Sequence, residues 1–264
     1  MPEATGVSTI RGSVPNIPCN RFSDEGWARI AVSVPDETDV TIYVNQQELV
    51  TVMCTPSKLN CLVLGFLYTE GIISGMDDVA SMRVCDDESE VDVRLMNSEY
   101  KLPTLRTLTS GCGGGAAFKT EAQKVESGLV VTPANIFSLM KQFQEQMALY
   151  RLCGGVHASA LCDTSELLVV SEDIGRHNTL DKIQGECLLR GISTRDRLLL
   201  STGRVSSEML LKAARMQTPV VVSRTSPTGR AVSLAHDLGI ALVGYVRGNR
   251  LSVYSHPERL GCSI

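Results

Sequence analysis

The fold is decided by the stretch Arg197-Leu-Leu-Leu-Ser-Thr-Gly-Arg-Val-Ser-Ser-Glu-Met209, in which a short apolar strand runs into a polar loop and the start of a helix. The same design occurs at Leu167–Lys182 and at Val220–Arg230. A further strand is predicted at Ile240–Tyr245, with a return strand at Leu251–Tyr254. Continuous apolar strands that alternate with helices are typical of a largely parallel sheet covered by helices on both faces. We therefore expect an α/β fold in this part of the chain.

The loops that follow these strands are rich in arginine. In a largely parallel sheet such loops meet at one edge, which is where ligands bind in α/β proteins. Helix N-termini at that edge add free N–H groups and the positive end of the helix dipole. No P-loop or dinucleotide fingerprint is present, so the pattern predicts a phosphorylated ligand without indicating ATP or NAD. Arginines on a solvated rim are the alternative. The residues concerned are Arg176, Arg204, Arg224, Arg230, Arg247 and Arg250.

The residues upstream of these units extend the same domain, which we predict to span 128–264. Thr132-Pro133 is typical of a helix start, because threonine caps helices and proline is favoured at the first helical position. An apolar stripe then predicts a helix to about Arg151, ended by Cys153-Gly-Gly155. A strand is predicted at Val156–Cys162, with the start of the Leu167 segment as its hairpin partner. The stripe consists of Ile136, Leu139, Met140, Phe143 and Met147.

The first part of the chain predicts a smaller β-rich domain at residues 23–106 that contains one helix. Residues 1–22 show no periodicity and are expected to form a flexible tail. Thr55-Pro56 predicts the cap of a helix over residues 57–70, which would cover the small sheet. Trp27 is expected in the core or in a lid. The predicted strands are Trp27–Val34, Val40–Val44, Glu48–Met53, Met82–Cys85 and Val91–Leu95.

A glycine-rich loop and linker at residues 107–127 joins the two domains and carries Cys112. Glycines on both sides of this cysteine leave the backbone unrestricted and its N–H groups free to face an anion. Such a loop can stabilise a thiolate or bring the sulfur into the pocket of another protein. A flexible linker with an inert cysteine is the alternative. The sequence at its centre is Thr107-Leu-Thr-Ser-Gly-Cys-Gly-Gly-Gly-Ala-Ala-Phe118.

The composition limits the classes of function. The chain has 264 residues, 43% of them hydrophobic, and its net charge of −4 argues against general nucleic-acid binding. Nine cysteines at irregular spacings do not form a disulfide framework, and none is spaced with the four histidines as a zinc site requires. No apolar run approaches the roughly 18 residues of a membrane-spanning helix. No secretory signal is visible at the N-terminus. We expect a cytoplasmic protein without a metal of its own.

At Asp173-Ile-Gly-Arg-His-Asn-Thr-Leu-Asp-Lys182 the chain resembles the FdhD-type formate dehydrogenase accessory sulfurtransferases. These proteins are needed to make certain molybdenum or tungsten enzymes active. The resemblance extends from about residue 24 to the C-terminus. It implies a homodimer, and a C-terminal three-layer α/β/α domain of the cytidine-deaminase type beside the smaller β-rich N-terminal domain. Further motifs that match in family order are Gly154–Ala160, Ser201–Met209, Ser223–Thr228 and Val253–Arg259.

The resemblance also implies a chemistry. A cysteine desulfurase loads a persulfide onto a loop cysteine, which passes the sulfur to the molybdopterin guanine dinucleotide cofactor of formate dehydrogenase. Cys112 falls at the position of that cysteine. Residues 245–250 match the cofactor-binding segment of the family, where an aromatic face and guanidinium groups suit a purine and a diphosphate. The candidate cofactor-binding residues are Tyr245, Val246, Arg247, Gly248, Asn249, Arg250, Arg176, His177, Arg204 and Arg224.

One departure from the family leaves alternatives open. Members commonly carry Cys-Gly-x-Cys in the loop, whereas the second cysteine is replaced here by Gly115. Either that cysteine is dispensable, or Cys153 takes its part, or this chain binds cofactor without transferring sulfur. The last case would make it a cofactor-binding chaperone for a molybdoenzyme, with no chemical step of its own.

Three further residues have open roles. His157 begins the motif His157-Ala-Ser159, and with the implied fold this suggests a zinc deaminase. That chemistry needs a glutamate two residues after the histidine and a Pro-Cys-x-x-Cys motif, and both are missing. His157 is expected either as a hydrogen-bonded core residue or in the cofactor pocket. His177 is expected to contact the ligand, and Asp173 to act as an N-cap.

Overall fold

The described residues of the N-terminal part form two sheets and one α-helix. The computed structural model describes residues 10–102, 106–108, 116–118 and 123–262. Strands β1 (Ser13–Ser23) and β2 (Gly26–Pro35) form a two-stranded antiparallel ribbon. The second sheet has the order β4-β3-β6-β5, and helix α1 packs on it. Its elements are β3 (Thr38–Val44), β4 (Gln47–Cys54), α1 (Leu59–Thr69), β5 (Val79–Val84) and β6 (Glu90–Leu95).

The C-terminal part is built around a six-stranded sheet. Two short strands, β7 (Arg106–Leu108) and β8 (Ala116–Phe118), pair antiparallel before it in the chain. The order of the large sheet is β10-β9-β11-β12-β13-β14. Its strands and helices are α2 (Pro133–Gln146), α3 (Ala148–Cys153), β9 (His157–Cys162), β10 (Leu167–Asp173), α4 (Arg176–Arg190), β11 (Leu198–Ser201), α5 (Ser207–Arg215), β12 (Val220–Ser223), α6 (Gly229–Leu238), β13 (Ala241–Arg247) and β14 (Arg250–Ser255).

Helices cover both faces of this sheet, so the predicted three-layer α/β/α arrangement is confirmed. On one face α2 buries the predicted apolar stripe, including Ile136 and Phe143, against the strands. On the other face α4, α5 and α6 bury residues such as Ile183 and Leu210. The predicted start of α2 is also confirmed, because the hydroxyl of Thr132 accepts a hydrogen bond from the Asn135 N–H at 3.2 Å.

The hairpin β9–β10 and the return strand β14 run as predicted, but the pairing of strands across the sheet differs from the prediction. The pairs β11·β12 and β12·β13 are parallel, whereas β9 is antiparallel to both its neighbours and β14 is antiparallel to β13. The sheet is therefore mixed, and the expectation of a largely parallel sheet is wrong. The reason is that the β9–β10 hairpin inserts a reversed strand between β10 and β11. Because β9 is antiparallel to both, β10 still runs in the same direction as β11.

The expectation of a flexible tail is wrong for residues 13–22, which belong to β1; residues 1–9 lie outside the described part of the chain. Pro15 and Pro18 lack an N–H group, and β1 tolerates them because β2 is its one partner among the described strands. Trp27 was expected in the core or in a lid, but its side chain is 75% exposed and packs on Phe22, with ring centroids 5.2 Å apart.

Helix α1 begins two residues later than predicted, and Thr55 does not cap it. The N-cap is Lys58, whose side chain makes no capping hydrogen bond. Thr55 is fully buried and faces the C-terminal part instead. Its N–H donates to Asp173 Oδ2 at 3.2 Å, and its hydroxyl accepts from the Ile174 N–H at 3.1 Å. The groups that a cap would have used are taken by hydrogen bonds to distant residues.

Helices α1 and α4 cross in direct backbone contact. A Cβ atom added to Gly65 would lie 1.7 Å from the carbonyl oxygen of Asp181, and one added to Gly185 would lie 1.9 Å from that of Cys61. Only glycine permits such a close approach. The crossing fixes α1, which packs on the small sheet, onto α4, which covers one face of the large sheet.

Two buried lysines reinforce this crossing through ion pairs. Lys182 Nζ lies 2.6 Å from Asp173 Oδ2, both side chains are fully buried, and the ammonium also donates to the Thr55 carbonyl at 3.0 Å. Lys212 Nζ on α5 lies 2.8 Å from Asp181 Oδ1 and 3.1 Å from Glu70 Oε1. Both lysines therefore join the N-terminal part to the C-terminal helices through compensated charges.

Candidate functional site

The carboxyl ends of β10, β11, β12 and β13 lie at one edge of the large sheet, because these strands run in the same direction. Their loops are hydrogen bonded to one another. The Arg224 N–H donates to the Ser201 carbonyl at 3.2 Å, the Val205 N–H to Ser226 at 3.3 Å, and the Tyr245 N–H to Thr225 at 3.1 Å. The edge is thus a continuous surface of linked loops. Arg176, Arg204, Arg224 and Arg230 follow strands that end there, and Arg247 and Arg250 are the last residue of β13 and the first residue of β14.

Three helix N-termini point to the same edge. Helices α5 and α6 are capped by side chains: the Ser206 hydroxyl accepts from the Met209 N–H at 3.4 Å, and that of Thr228 from the Ala231 N–H at 3.2 Å. The N-cap residue of α4 is Gly175, which has no side chain to accept a capping hydrogen bond. The predicted cap, Asp173, precedes this position, so that prediction is wrong; its carboxylate accepts from the Gly175 N–H at 2.8 Å and holds the loop from outside the helix. The positive ends of three helix dipoles therefore lie here.

The first group of candidate residues surrounds the start of α4. A Cβ atom on Gly203 would lie 3.2 Å from both Arg176 Cβ and His157 Nδ1, so the loop after β11 touches both residues. Arg176 is buried. Burial lowers the pKa of His157, and the neighbouring Arg176 acts in the same direction. His157 is thus a neutral, half-buried ring at the start of β9, beside the candidate site.

His177 belongs to the same group and faces α5. Its Nε2 atom lies 3.2 Å from Ser206 Oγ and 3.3 Å from Glu208 Oε2. Burial lowers the pKa of His177 to about 3, and Arg176 acts in the same direction. Burial raises the pKa of Glu208 to about 7. The histidine is therefore neutral, and the glutamate changes its charge near neutral pH.

The second group is the turn between β13 and β14, two strand spacings or about 10 Å from the loop after β11. Tyr245 is 45% exposed and takes a φ of 53°, which bends the strand at the edge. Arg247 and Arg250 are exposed and stand opposite each other in the pairing of β13 with β14. In the loops between the two groups, Arg204 is exposed and Arg224 is half-buried.

A cavity of about 620 Å³ opens beside this turn. Such a volume is within the range of small-molecule sites. Of the candidate residues it is lined by Val246, Gly248 and Asn249; the start of α4 does not reach it. The remaining wall comes from α2 and α3, whose lining residues are Phe137, Ser138, Met140, Lys141, Gln144, Glu145 and Arg151. The edge therefore offers two parts, an open arginine surface and a cavity on the α2 side.

The sequence did not indicate several of these residues. Lys141, Glu145 and Arg151 lie on the polar side of α2 and α3, and no local pattern links them to a turn about a hundred residues later. Glu208 was visible only as an acid in the first turn of a helix, where it suits the helix dipole. Its proximity to His177 follows from the packing of α4 beside α5.

The reactive candidate, Cys112, lies outside the described residues. On either side of 109–115, Leu108 of β7 pairs with Ala116 of β8. The Cys153 thiol donates to the Leu149 carbonyl at 3.2 Å, and burial raises its pKa, with Glu172 acting in the same direction. Cys153 is therefore a poor nucleophile in this conformation.

Metal ligands are not grouped in the part of the chain that the structure describes: no three His, Cys, Asp or Glu residues are placed to hold an ion. At the position where a deaminase would need its glutamate, Ser159 is buried and its hydroxyl lies 2.7 Å from that of Thr179. Within the same described ranges, no helix is long and apolar enough to cross a membrane.

A sequence model of the FdhD/NarQ family matches residues 35–261. The chain belongs to this family. FdhD/NarQ relatives named "Sulfur carrier protein FdhD" include those of Listeria innocua serovar 6a and Bacillus subtilis strain 168. The former is 40% identical over 250 residues, covering 91% of this chain and 96% of the relative. The latter is 40% identical over 248 residues, covering 91% and 95%.

A solved structure has the same fold as this member of the FdhD/NarQ family. It is a crystal structure of a protein assigned as a formate dehydrogenase accessory protein from Desulfotalea psychrophila. The two chains superpose with a TM-score of 0.77 at 28% identity, covering 94% of this chain and 99% of the other. The mixed α/β architecture is thus shared over nearly the whole length of both proteins.

Proposed function

We propose that this chain is a sulfur carrier that accepts sulfur on Cys112 and delivers it to the molybdopterin guanine dinucleotide cofactor during the maturation of formate dehydrogenase. The observation that carries the proposal is the 40% identity, over 91% of the chain, to proteins named sulfur carrier protein FdhD. As part of the same proposal the protein acts as a homodimer, and its sulfur donor is a cysteine desulfurase.

The sulfur step needs a thiolate that can reach another protein. The Cys112 thiolate attacks the outer sulfur of the donor's persulfide; an S–S bond forms on Cys112 while the donor's S–S bond breaks, and the donor leaves as a thiolate. No net oxidation occurs. The residues next to Cys112 in the sequence are glycines, which suit this step because they have no side chains to hinder the attack. Among the other cysteines, Cys153 has a raised pKa and so competes poorly as the acceptor.

The cofactor is the substrate of the delivery step, and the arginine edge suits its diphosphate groups. Arg247 and Arg250 are exposed beside the cavity, so their guanidinium groups can exchange water for phosphate oxygens. The cavity beside Val246 and Asn249 has the volume for a nucleotide. Glu145 on its α2 wall is a carboxylate that can accept hydrogen bonds from the N–H groups of guanine.

A second candidate function, a cofactor-binding chaperone without sulfur transfer, is favoured by one observation. Gly115 stands where related loops commonly have their second cysteine. The chaperone would keep the arginine edge and the cavity, and it would not depend on Cys112.

Mass spectrometry after incubation with a cysteine desulfurase and cysteine separates these functions. We expect one sulfur atom to be added to Cys112, and Cys112→Ser to abolish both the adduct and the activation of formate dehydrogenase. Cys153→Ser is the matched control and should keep both. Normal activation by Cys112→Ser would favour the chaperone, whereas loss of activity in Cys153→Ser would show that a second thiol takes part.

Titration calorimetry with guanosine and adenosine diphosphates tests the ligand edge. Arg250→Ala should weaken binding of guanosine diphosphate about tenfold or more, because a charge-assisted hydrogen bond contributes about 1.5–3 kcal/mol. Tyr245→Ala should reduce discrimination between the two bases, since a ring face stacks on the base. Arg190→Ala, at the opposite end of α4, is the control and should bind as the wild type does. Equal binding by all the variants would contradict this placement of the cofactor.

A further inference from the structure

His177 and Glu208 form a partly enclosed pair in which one proton has two possible positions. Their side chains are 12% and 19% exposed, and Nε2 of the ring lies 3.3 Å from Glu208 Oε2. The Ser206 hydroxyl, 3.2 Å from the same nitrogen, already accepts the Met209 N–H, so its own proton can be donated to the ring. A neutral imidazole carries a proton on only one of its two nitrogens, and its neighbours decide which.

The charge of Glu208 is the variable in this arrangement. As a carboxylate, Glu208 attracts a proton to Nε2 of the ring, which leaves Nδ1 as an acceptor. As an acid, it presents an O–H group to Nε2, which then accepts and leaves the proton on Nδ1. The ring itself stays neutral in both cases, because its pKa is lowered to about 3 by burial and by Arg176 and Lys212.

Groups on every neighbouring element act on Glu208. On its own helix Lys212 favours the carboxylate, as does Arg176 on α4; Asp181 on α4 and Glu70 after α1 oppose it. Burial outweighs the two cations and raises the pKa of Glu208 to about 7, so both forms are present near neutral pH.

We propose that Glu208 is a positioning residue for His177: the protonation state of its carboxyl group decides which ring nitrogen of His177 carries the hydrogen. The ring then offers an N–H group from Nδ1 in the acid form and a lone pair from Nδ1 in the basic form. This concerns the free protein and does not require a ligand to bind. The consequence for ligand binding rests on the proposed function: a phosphate oxygen needs the donor form of Nδ1.

Nitrogen-15 NMR of the four histidines tests the proposal. The signals of His177 are identified as those missing from His177→Gln. As the pH rises through about 7, we expect its proton to move from Nδ1 to Nε2 with no imidazolium pattern on either side. Glu208→Gln should abolish the change and leave His177 in one tautomer across the range, because an amide does not titrate.

The matched control is Glu258→Gln, which makes the same change beside His256, where Nδ1 lies 2.8 Å from Glu258 Oε1 near the surface. It should leave the His177 signals unchanged. The proposal is overturned if His177 keeps one tautomer across the range, if it becomes an imidazolium below about pH 7, or if the transition survives in Glu208→Gln. Absence of nucleotide binding with an intact tautomer change would count against the proposed function alone.

Discussion

Charged side chains around helix α4 are of two kinds: buried ones at its middle, and exposed ones on other elements near its N-terminal end. In its middle, Asp181 and Lys182 are buried and bonded to partners from the N-terminal part and from α5. At its N-terminal end the helix meets an edge where Arg204, Arg247 and Arg250 are exposed. A buried ion must be compensated inside the protein, since desolvation costs several kcal/mol. An exposed one keeps its water and can exchange it for a ligand. The middle of the helix therefore serves stability, whereas the exposed arginines at the edge remain available for the ligand binding proposed above.

The largest expected effect comes from removing a buried charge. Lys182→Met leaves Asp173 buried without its ion-pair partner and should lower the free energy of unfolding by about 3–5 kcal/mol. Chemical denaturation measures this loss. Arg204→Ala, at the exposed edge, is the control and should change stability by no more than about 0.5 kcal/mol. Similar losses in both variants would remove the distinction between the two regions.

A smaller effect is expected at the α1–α4 crossing. Gly185→Ala places a Cβ atom 1.9 Å from the Cys61 carbonyl oxygen, so the helices must separate. We expect a loss of about 3 kcal/mol in the free energy of unfolding, at the upper end of the usual cost of overpacking. In the control, Gly229→Ala, no atom lies within 4 Å of the added Cβ, and stability should fall little or rise. If Gly185→Ala left the free energy of unfolding unchanged, the backbones of the two helices would not be in contact.

The smallest effect concerns His177 at the edge and appears as a dependence of the free energy of unfolding on pH. The pKa of His177 is lowered to about 3 in the folded state, against about 6.5 when unfolded, so acid favours the unfolded chain as the pH falls below 6.5. Between about pH 7 and pH 5, the wild type should lose about 2 kcal/mol more stability than His177→Gln. Denaturant titrations at both pH values measure the difference.

Glu208 should change the stability with pH in the opposite direction to His177, which provides a check. Its raised folded-state pKa of about 7 means that stability is lost as the pH rises from about 4.5 to 7. Glu208→Gln should therefore lose less stability than the wild type over that rise. If both variants followed the wild-type curve, His177 and Glu208 would be solvated like ordinary surface groups.

Local signals in the sequence predicted much of the fold. The strands β11, β12 and β13 were found because their apolar runs are continuous, and the start of α2 because Thr132-Pro133 is a local cap. The position of Arg176, Arg204 and Arg224 at one edge also followed from strand direction, since they come shortly after β10, β11 and β12. These features depend on neighbours in the chain and need no knowledge of tertiary contacts.

Features that depend on distant partners could not be predicted. Thr55 has the composition of a cap, but its N–H group is bonded to Asp173, 118 positions away. Strand β1 contains two prolines, and its residues do not alternate between apolar and polar. It is defined as a strand by its pairing with β2. The cavity at the candidate site needs α2 beside the β13–β14 turn, an arrangement set by packing across the whole sheet.

The glycine crossing of α1 and α4 has a consequence for how the molecule unfolds. At this point no layer of side chains separates the two helices, so neither can shift without disturbing the backbone of the other. A chain with two separate sheets could melt in two steps. Here the small sheet is fixed by α1 to the helix that also forms the second layer of the large sheet. The two sheets should therefore behave as one cooperative unit, and the loops at the carboxyl ends of β10 to β13 are held by both.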